Sequence, residues 1–180
     1  RYFGLSNIHS DGMAEIEPYK DRFVCCQDEY SLARRDCEND LLRVRDGMGI
    51  TPLTWGSLGQ GILTGKYGKN VKFDINDRRH GETYVNFHGK KLEKNLEIVE
   101  VMKPIAANHG KSLSAVAIRF ILDWLGESVA LVGAKRTSQM QGNLEALEWK
   151  LTVEELEVLD RVSSIYKTAP EQIGGGYSII

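Results

Sequence analysis

Cysteine is scarce: the 180 residues include three, two of them adjacent at Cys25 and Cys26. Neighbours on a strand point to opposite faces, and no ligand spacing joins the three, so neither a disulfide framework nor a metal set follows. A reducing compartment, the cytoplasm, is the expectation. An excess of one charge is also lacking. Lys and Arg number 23 against 25 Asp and Glu, a formal net charge of −2 that gives no electrostatic case for nucleic acid or an anionic membrane as partner. No apolar run approaches the ~20 residues that cross a bilayer, and no signal-peptide pattern opens the chain. What is present, 42% hydrophobic and 27% charged residues, is ordinary for one globular domain with a real core. The first residue is Arg1 and Tyr2–Leu5 already reads as a strand, so the expected start of the chain lies inside a fold.

The stretch Gly49–Tyr67 organises the rest. Ile50 to Trp55 mixes apolar and β-branched residues over one strand's length, and Pro52, which cannot donate to a ladder, suits its first residues or an edge. Gly56, Gly59, Gly61 and Gly65 follow within ten residues, a spacing that lets backbone N–H groups approach another molecule such as a phosphate, or simply makes a turn. Trp55 at the strand's end is either a core aromatic or a stacking platform.

Around that stretch, short strands alternate with helices. Tyr2–Leu5 and Phe23–Cys26 are apolar runs ending in polar residues, with a helix expected over residues 11–19 between them, opened by Ser10 or Asp11. Asp36–Arg45 reads as a helix closed by Gly47 and Gly49. Gly68 to Gly89 has no sustained periodicity and reads as a long loop, a length usually functional or mobile. Leu92, Leu96, Val99 and Met102 recur at helical spacing up to Gly110, and Ser112 caps a second helix carrying Leu113, Ala117, Phe120, Ile121 and Trp124. Val129–Val132 reads as a buried strand, then a helix from Thr137 or Ser138 presents Met140, Leu144 and Leu147 on one face. Thr152-Val153-Glu154-Glu155 is a capping box opening a last helix with Leu156, Leu159 and Val162. The tail from Tyr166 to Ile180, with three consecutive glycines, looks poorly packed. The order implies parallel strands joined by right-handed crossovers, in an open sheet or in half of an eight-stranded barrel.

Four motifs resemble the second half of an aldo-keto reductase: Ser6-Asn7 after Gly4-Leu5, Gln27 in VCCQDEYSL, WGSLGQGILTGKY at residues 55–67 and GAKRTSQMQGN at 133–143. They stand in the family's order and spacing, in one register from about residue 1 to 163. The resemblance implies an α/β fold of the (β/α)₈ TIM-barrel type, here its last four βα units over residues 1–165, followed by the tail at 166–180. It implies hydride transfer between NADPH and a small carbonyl substrate. Ser6, Asn7 and Gln27 would meet the nicotinamide carboxamide, which has a donor and an acceptor to satisfy. Trp55 would stack on the nicotinamide ring at the barrel's C-terminal rim. Gly56, Leu58, Gln60 and Gly61 would lie along the pyrophosphate with Lys66 near it. Gly133, Lys135, Gln139 and Asn143 would hold the adenosine end, Lys135 and then Arg136 favouring its 2′-phosphate. Arg78 and Arg79 read as solvated loop charges before they read as cofactor contacts.

Three departures stand out. Gly56-Ser57 occupies the place of the family's usual Ser-Pro, so a hydroxyl contact is lost or moved by one residue. Gly142 replaces an acidic residue before Asn143. The family's catalytic Asp, Tyr, Lys and His belong to the first half of the barrel and match nothing in this chain; His9, His80, His88 and His109 read as surface histidines, and Tyr30 as core or rim. The expected function is therefore the cofactor-binding half of an NADPH-dependent oxidoreductase or, as the alternative, a non-catalytic NADP(H)-binding regulatory module. With open sheet edges, self-association or a complementary N-terminal half barrel is expected.

Overall fold

The computed structural model describes residues 1–8, 10–81 and 83–167. Four strands, β1 (Phe3–Ser6), β2 (Phe23–Glu29), β3 (Thr51–Trp55) and β4 (Val129–Ala130), pair in parallel in chain order. Right-handed crossovers between strands laid down in sequence all pass over the same face, whereas a doubly wound sheet reverses its order somewhere. The sheet is therefore an arc of a barrel, with helices α1 (Ser10–Ile16), α2 (Glu38–Met48), α3 (Gly89–His109), α4 (Leu113–Leu125), α5 (Thr137–Leu144) and α6 (Val153–Ser163) between and after the strands.

Register sorts the strand residues into two faces. Partners across a parallel pair share a face, so Ser6, Gln27, Leu53 and Val129 stand on one side, with Glu29 and Trp55 farther along it. Leu5, Cys26, Asp28, Pro52 and Thr54 occupy the other and are buried beneath the helices. There Leu5, Cys26 and Ile50 pack with Met13 of α1 and with Val44 and Met48 of α2. Ile98 and Met102 of α3, Val116, Phe120 and Ile121 of α4 and Leu159 of α6 make the larger core. Each such side chain contributes roughly 1.5–3 kcal/mol on full burial.

Local signals end these elements. Gly49 adopts φ +67° after α2. Ser112 Oγ accepts the Ala115 N–H (3.2 Å), and Thr152 and Glu155 exchange side-chain bonds to each other's N–H as the capping box requires.

Five expectations need correction. The strand beginning at Phe23 runs on to Glu29, because its polar end is held in the sheet by β3. The run at Val129–Val132 pairs as a strand over two residues only, and one side of it is exposed: Val129 is 45% and Leu131 38% exposed, since no described element covers their face. The helix carrying Met140 and Leu144 ends at Leu144, so Leu147 lies beyond it, and all three are exposed. The segment after Gly68 is not structureless; it contains 3₁₀ turns at Arg78–His80 and Val85–Phe87, and Phe73 and Phe87 stack edge-on with each other and pack with Tyr67. Tyr166, at the start of the supposed loose tail, is core, while residues 168–180 lie outside the described residues.

One closure was invisible beforehand. Arg35, fully buried, stacks on Phe120 and Trp124 and donates to Glu38 (2.6 Å) and to Ser163 Oγ (2.7 Å), and it pairs with Asp160 at 2.8 Å. Lys167 bridges the same two carboxylates. This cluster ties the segment after β2 to α6 and the turn Ser164–Lys167.

Candidate nucleotide site at the strand ends

The C-terminal ends of the strands carry most of the candidate residues. β1 closes at Ser6, level with Gln27. Asn7 follows with φ +53°, a left-handed conformation that asparagine tolerates better than most residues. Its N–H extends the ladder to the Gln27 carbonyl (3.0 Å), and its side-chain amide donates to Ser6 Oγ (3.1 Å). Ser6 and Asn7 are exposed and Gln27 half-exposed, so all three present polar atoms on the open side. Trp55, 37% exposed, ends β3 on the same face.

The residues after Trp55 explain the first departure. Gly56 has φ +69°, and a Cβ there would lie 2.9 Å from the Glu29 Cγ. Glu29 cannot easily yield, because it is buried and paired with Arg34 at 2.9 Å. Burial raises its pKa despite the nearby charges of Arg34 and Lys91. Burial, with Arg34 beside it, also lowers the pKa of Lys91. A serine at position 56 thus conflicts with this glutamate. The hydroxyl of Ser57 does not replace it toward the open side: it is buried and lies 3.0 Å from the Leu131 carbonyl, tying the loop after β3 to the one after β4. Leu58 turns inward onto the core. Gln60 and Gly61 both adopt positive φ in the turn Gly59–Thr64, and Lys66 is exposed above the Tyr67 ring.

The last loop is held by its own helix. Gln139 Oε1 accepts the N–H groups of Lys135 (2.7 Å) and Arg136 (3.1 Å), so this glutamine positions the loop through one end of its amide. Gly133 and Lys135 are exposed. Asn143 is 7% exposed, and its amide nitrogen has no hydrogen-bond partner among the described residues. An unpaired buried donor is costly, and a purine ring nitrogen is the kind of acceptor it lacks, so the residues present fit an adenine nucleotide. Gly142 leaves ordinary room for a side chain, the Ser112 hydroxyl being 3.9 Å from a Cβ built there.

Arg79 corrects the reading of the long loop. Its guanidinium lies 4.5 Å from the centre of the Phe73 ring, pairs with Asp77 and reaches the Tyr67 hydroxyl, whereas Arg78 is exposed. Lys135 contributes, after Arg79, to holding the Asp77 carboxyl well below the usual range. The long loop and the last loop are therefore electrostatic neighbours. His109 is also not simply solvated: it pairs with Glu155 at 2.9 Å and stacks on Trp149. His80 and His88 are exposed; His9 lies outside the described residues.

No proton donor joins this rim among the described tyrosines at strand ends. Tyr30, which follows β2, is fully buried and donates to Glu38 at 2.6 Å, and burial pushes its pKa well above the ordinary tyrosine value. An apolar groove of about 520 Å³ between α3 and α6, floored by Val101, Pro104, Ile105 and Val158, shares no residue with the candidate set. Among the described residues no helix is long and apolar enough to cross a membrane, and no cluster of His, Cys, Asp and Glu is arranged to hold a metal.

Known proteins resemble this chain over most of its length. An aldo-keto reductase, YhdN of Bacillus subtilis, is 31% identical over 90% of this chain and 48% of its own length. A probable voltage-gated potassium channel subunit beta of Arabidopsis thaliana is 30% identical over 95% of this chain and 54% of its own. The glycerol dehydrogenase AKR11B4 from Gluconobacter oxydans superposes with a TM-score of 0.79 at 28% identity, covering 94% of this chain and 51% of that one. The chain thus spans about half the length of the relatives it matches. Since the profile of the Aldo/keto reductase family also matches residues 1–164, the chain belongs to that family, whose members are oxidoreductases.

Proposed function

We propose that the protein is an NADPH-dependent oxidoreductase interconverting carbonyl compounds and alcohols, and that this chain is the part that holds the nucleotide. The buried amide of Asn143, which has no partner among the described residues, carries the reading, because a purine ring nitrogen is an acceptor it could donate to. Ser6, Asn7 and Gln27 would hold the carboxamide and Trp55 would fix which face of the nicotinamide is offered. Backbone at Gly56, Leu58, Gln60 and Gly61 would line the pyrophosphate with Lys66 as a point charge. Gly133, Lys135 and Arg136 would meet the 2′-phosphate, in a loop that Gln139 holds in place. When bound, NADPH supplies the hydride.

A carbonyl oxygen gaining negative charge needs a proton at the same time. Tyr30 cannot give it, being buried and bonded to Glu38. In this reading the donor comes from outside these residues, as does much of the small carbonyl substrate's pocket. The exposed faces of Trp55, Val129 and Leu131, and the outer edges of β1 and β4, which pair with no described strand, favour a complementary N-terminal half barrel, or a second copy, as the covering element. The half barrel then extends through Tyr166 and Lys167, in a cytoplasmic protein whose cysteines are free.

The test is titration of the full protein with NADPH and NADH, followed by Trp fluorescence and by carbonyl-dependent oxidation. Tighter binding of NADPH with turnover supports the reading; no binding of either nucleotide defeats it. A second reading, a non-catalytic NADP(H)-binding regulatory subunit, is favoured by the potassium channel beta relative. NADPH binding without turnover selects it.

A further inference from the structure

Behind the glycine loop lie two buried asparagines that the nucleotide site described above does not use. Asn95, in the middle of α3, is fully buried, and its Nδ2 donates to the backbone carbonyl of Asn86 (3.1 Å) and to Asn86 Oδ1 (3.2 Å). Asn86, also buried, donates from Nδ2 to Gln60 Oε1 (3.3 Å). A backbone carbonyl only accepts, so Asn95 must turn its NH₂ toward Asn86. Asn86 must then answer with its oxygen and send its own NH₂ to Gln60. Gln60 in turn must accept, which leaves its NH₂ as the free end. One carbonyl thus sets the polarity of three amides in series. The series ends on a residue whose φ of +61° places it inside the glycine-rich turn.

We propose that Asn95 and Asn86 are positioning residues that hold Gln60 with its NH₂ outward, as a donor to a phosphate oxygen of the nucleotide's pyrophosphate. The inference rests on the nucleotide reading above and extends it to two residues remote from the rim. Without the relay Gln60 has no preferred end. A glutamine turned the other way meets phosphate with a carbonyl oxygen, and two acceptors repel.

The experiment uses the full protein and two probes, NADP⁺ and 2′-AMP, the second having the adenosine end without a pyrophosphate. In Asn86→Asp the new carboxylate still accepts from Asn95 but has no proton for Gln60, which must turn its NH₂ inward. Binding of NADP⁺ should weaken on the order of tenfold while 2′-AMP is unchanged. The loss should vanish when Asn86→Asp is made in a Gln60→Gly background, glycine being at ease at that backbone angle. Gln60→Glu, at a half-exposed loop position where folding is not at stake, keeps the bond from Asn86 and points an anion at the phosphate. It should weaken NADP⁺ further, again selectively. Equal losses for both probes, a loss that persists without Gln60, or no loss in Gln60→Glu overturns the relay. If the unaltered protein binds neither probe, the nucleotide reading falls and takes this proposal with it.

Discussion

The two faces of the sheet make opposite use of similar residues. On the helix side buried charges are paired: Arg35 alone reaches Glu38, Asp160 and Ser163, and Tyr30 shares the same glutamate. On the other side Ser6, Asn7 and Gln27 stand in the open beside exposed Trp55, Val129 and Leu131. A closed face fixes the geometry and an open one is left to bind. Stability should therefore reside in the first and nucleotide affinity in the second.

The largest effect expected is on the closed face. Arg35→Met removes the cation from between Glu38 and Asp160 and should cost about 3 kcal/mol, read as a lowered denaturation midpoint, because buried Glu38 loses its main partner and only the exposed Lys167 remains beside it. A midpoint shift no larger than that of Trp55→Ala would break the distinction between the faces. Next comes Gly56→Ser, which restores the family's usual residue yet should destabilise by about 1–3 kcal/mol, since the new Cβ meets Glu29 at a positive φ. Pairing it with Glu29→Ala should return part of the loss, which sharpens the claim that Glu29 is the obstacle.

A smaller effect depends on pH. Burial raises the pKa of Asp160, but Lys167 and Arg35 outweigh it and the net shift is downward. A carboxylate with a lowered folded pKa stabilises fully above its unfolded value and loses that contribution as pH falls below about 4. Asp160→Asn should flatten this acid limb of the midpoint curve and lower its neutral plateau. The smallest change is a gain. Gly142→Glu fills open space within α5 and should add about 0.5–1 kcal/mol by helix propensity, while placing a carboxylate next to Asn143 and tightening an adenine nucleotide.

Much of the frame was legible because its signals are local. Ser112, Thr152 with Glu155, and Gly49 mark element ends within three or four residues of what they cap. Arg35 was not legible, its partners Asp160 and Ser163 lying some 125 and 128 residues on. The order in the 68–89 segment escaped notice because Tyr67, Phe73 and Phe87 follow no helical or strand period. Val129 and Leu131 misled in the other direction: an apolar run looks the same whether its face is covered or bare. The candidate site came from motif resemblance, and only packing distinguishes the exposed Ser6 and Asn7 from Leu58 and Ser57, which point into the protein.

Hydrogen exchange of the full protein with and without NADP⁺ tests the central claim most directly. The account predicts added protection at residues 55–61 and 133–143 and at the ends of β1 and β2, with none in the groove between α3 and α6. Protection confined to that groove, or no change at the strand ends at saturating nucleotide, would contradict it.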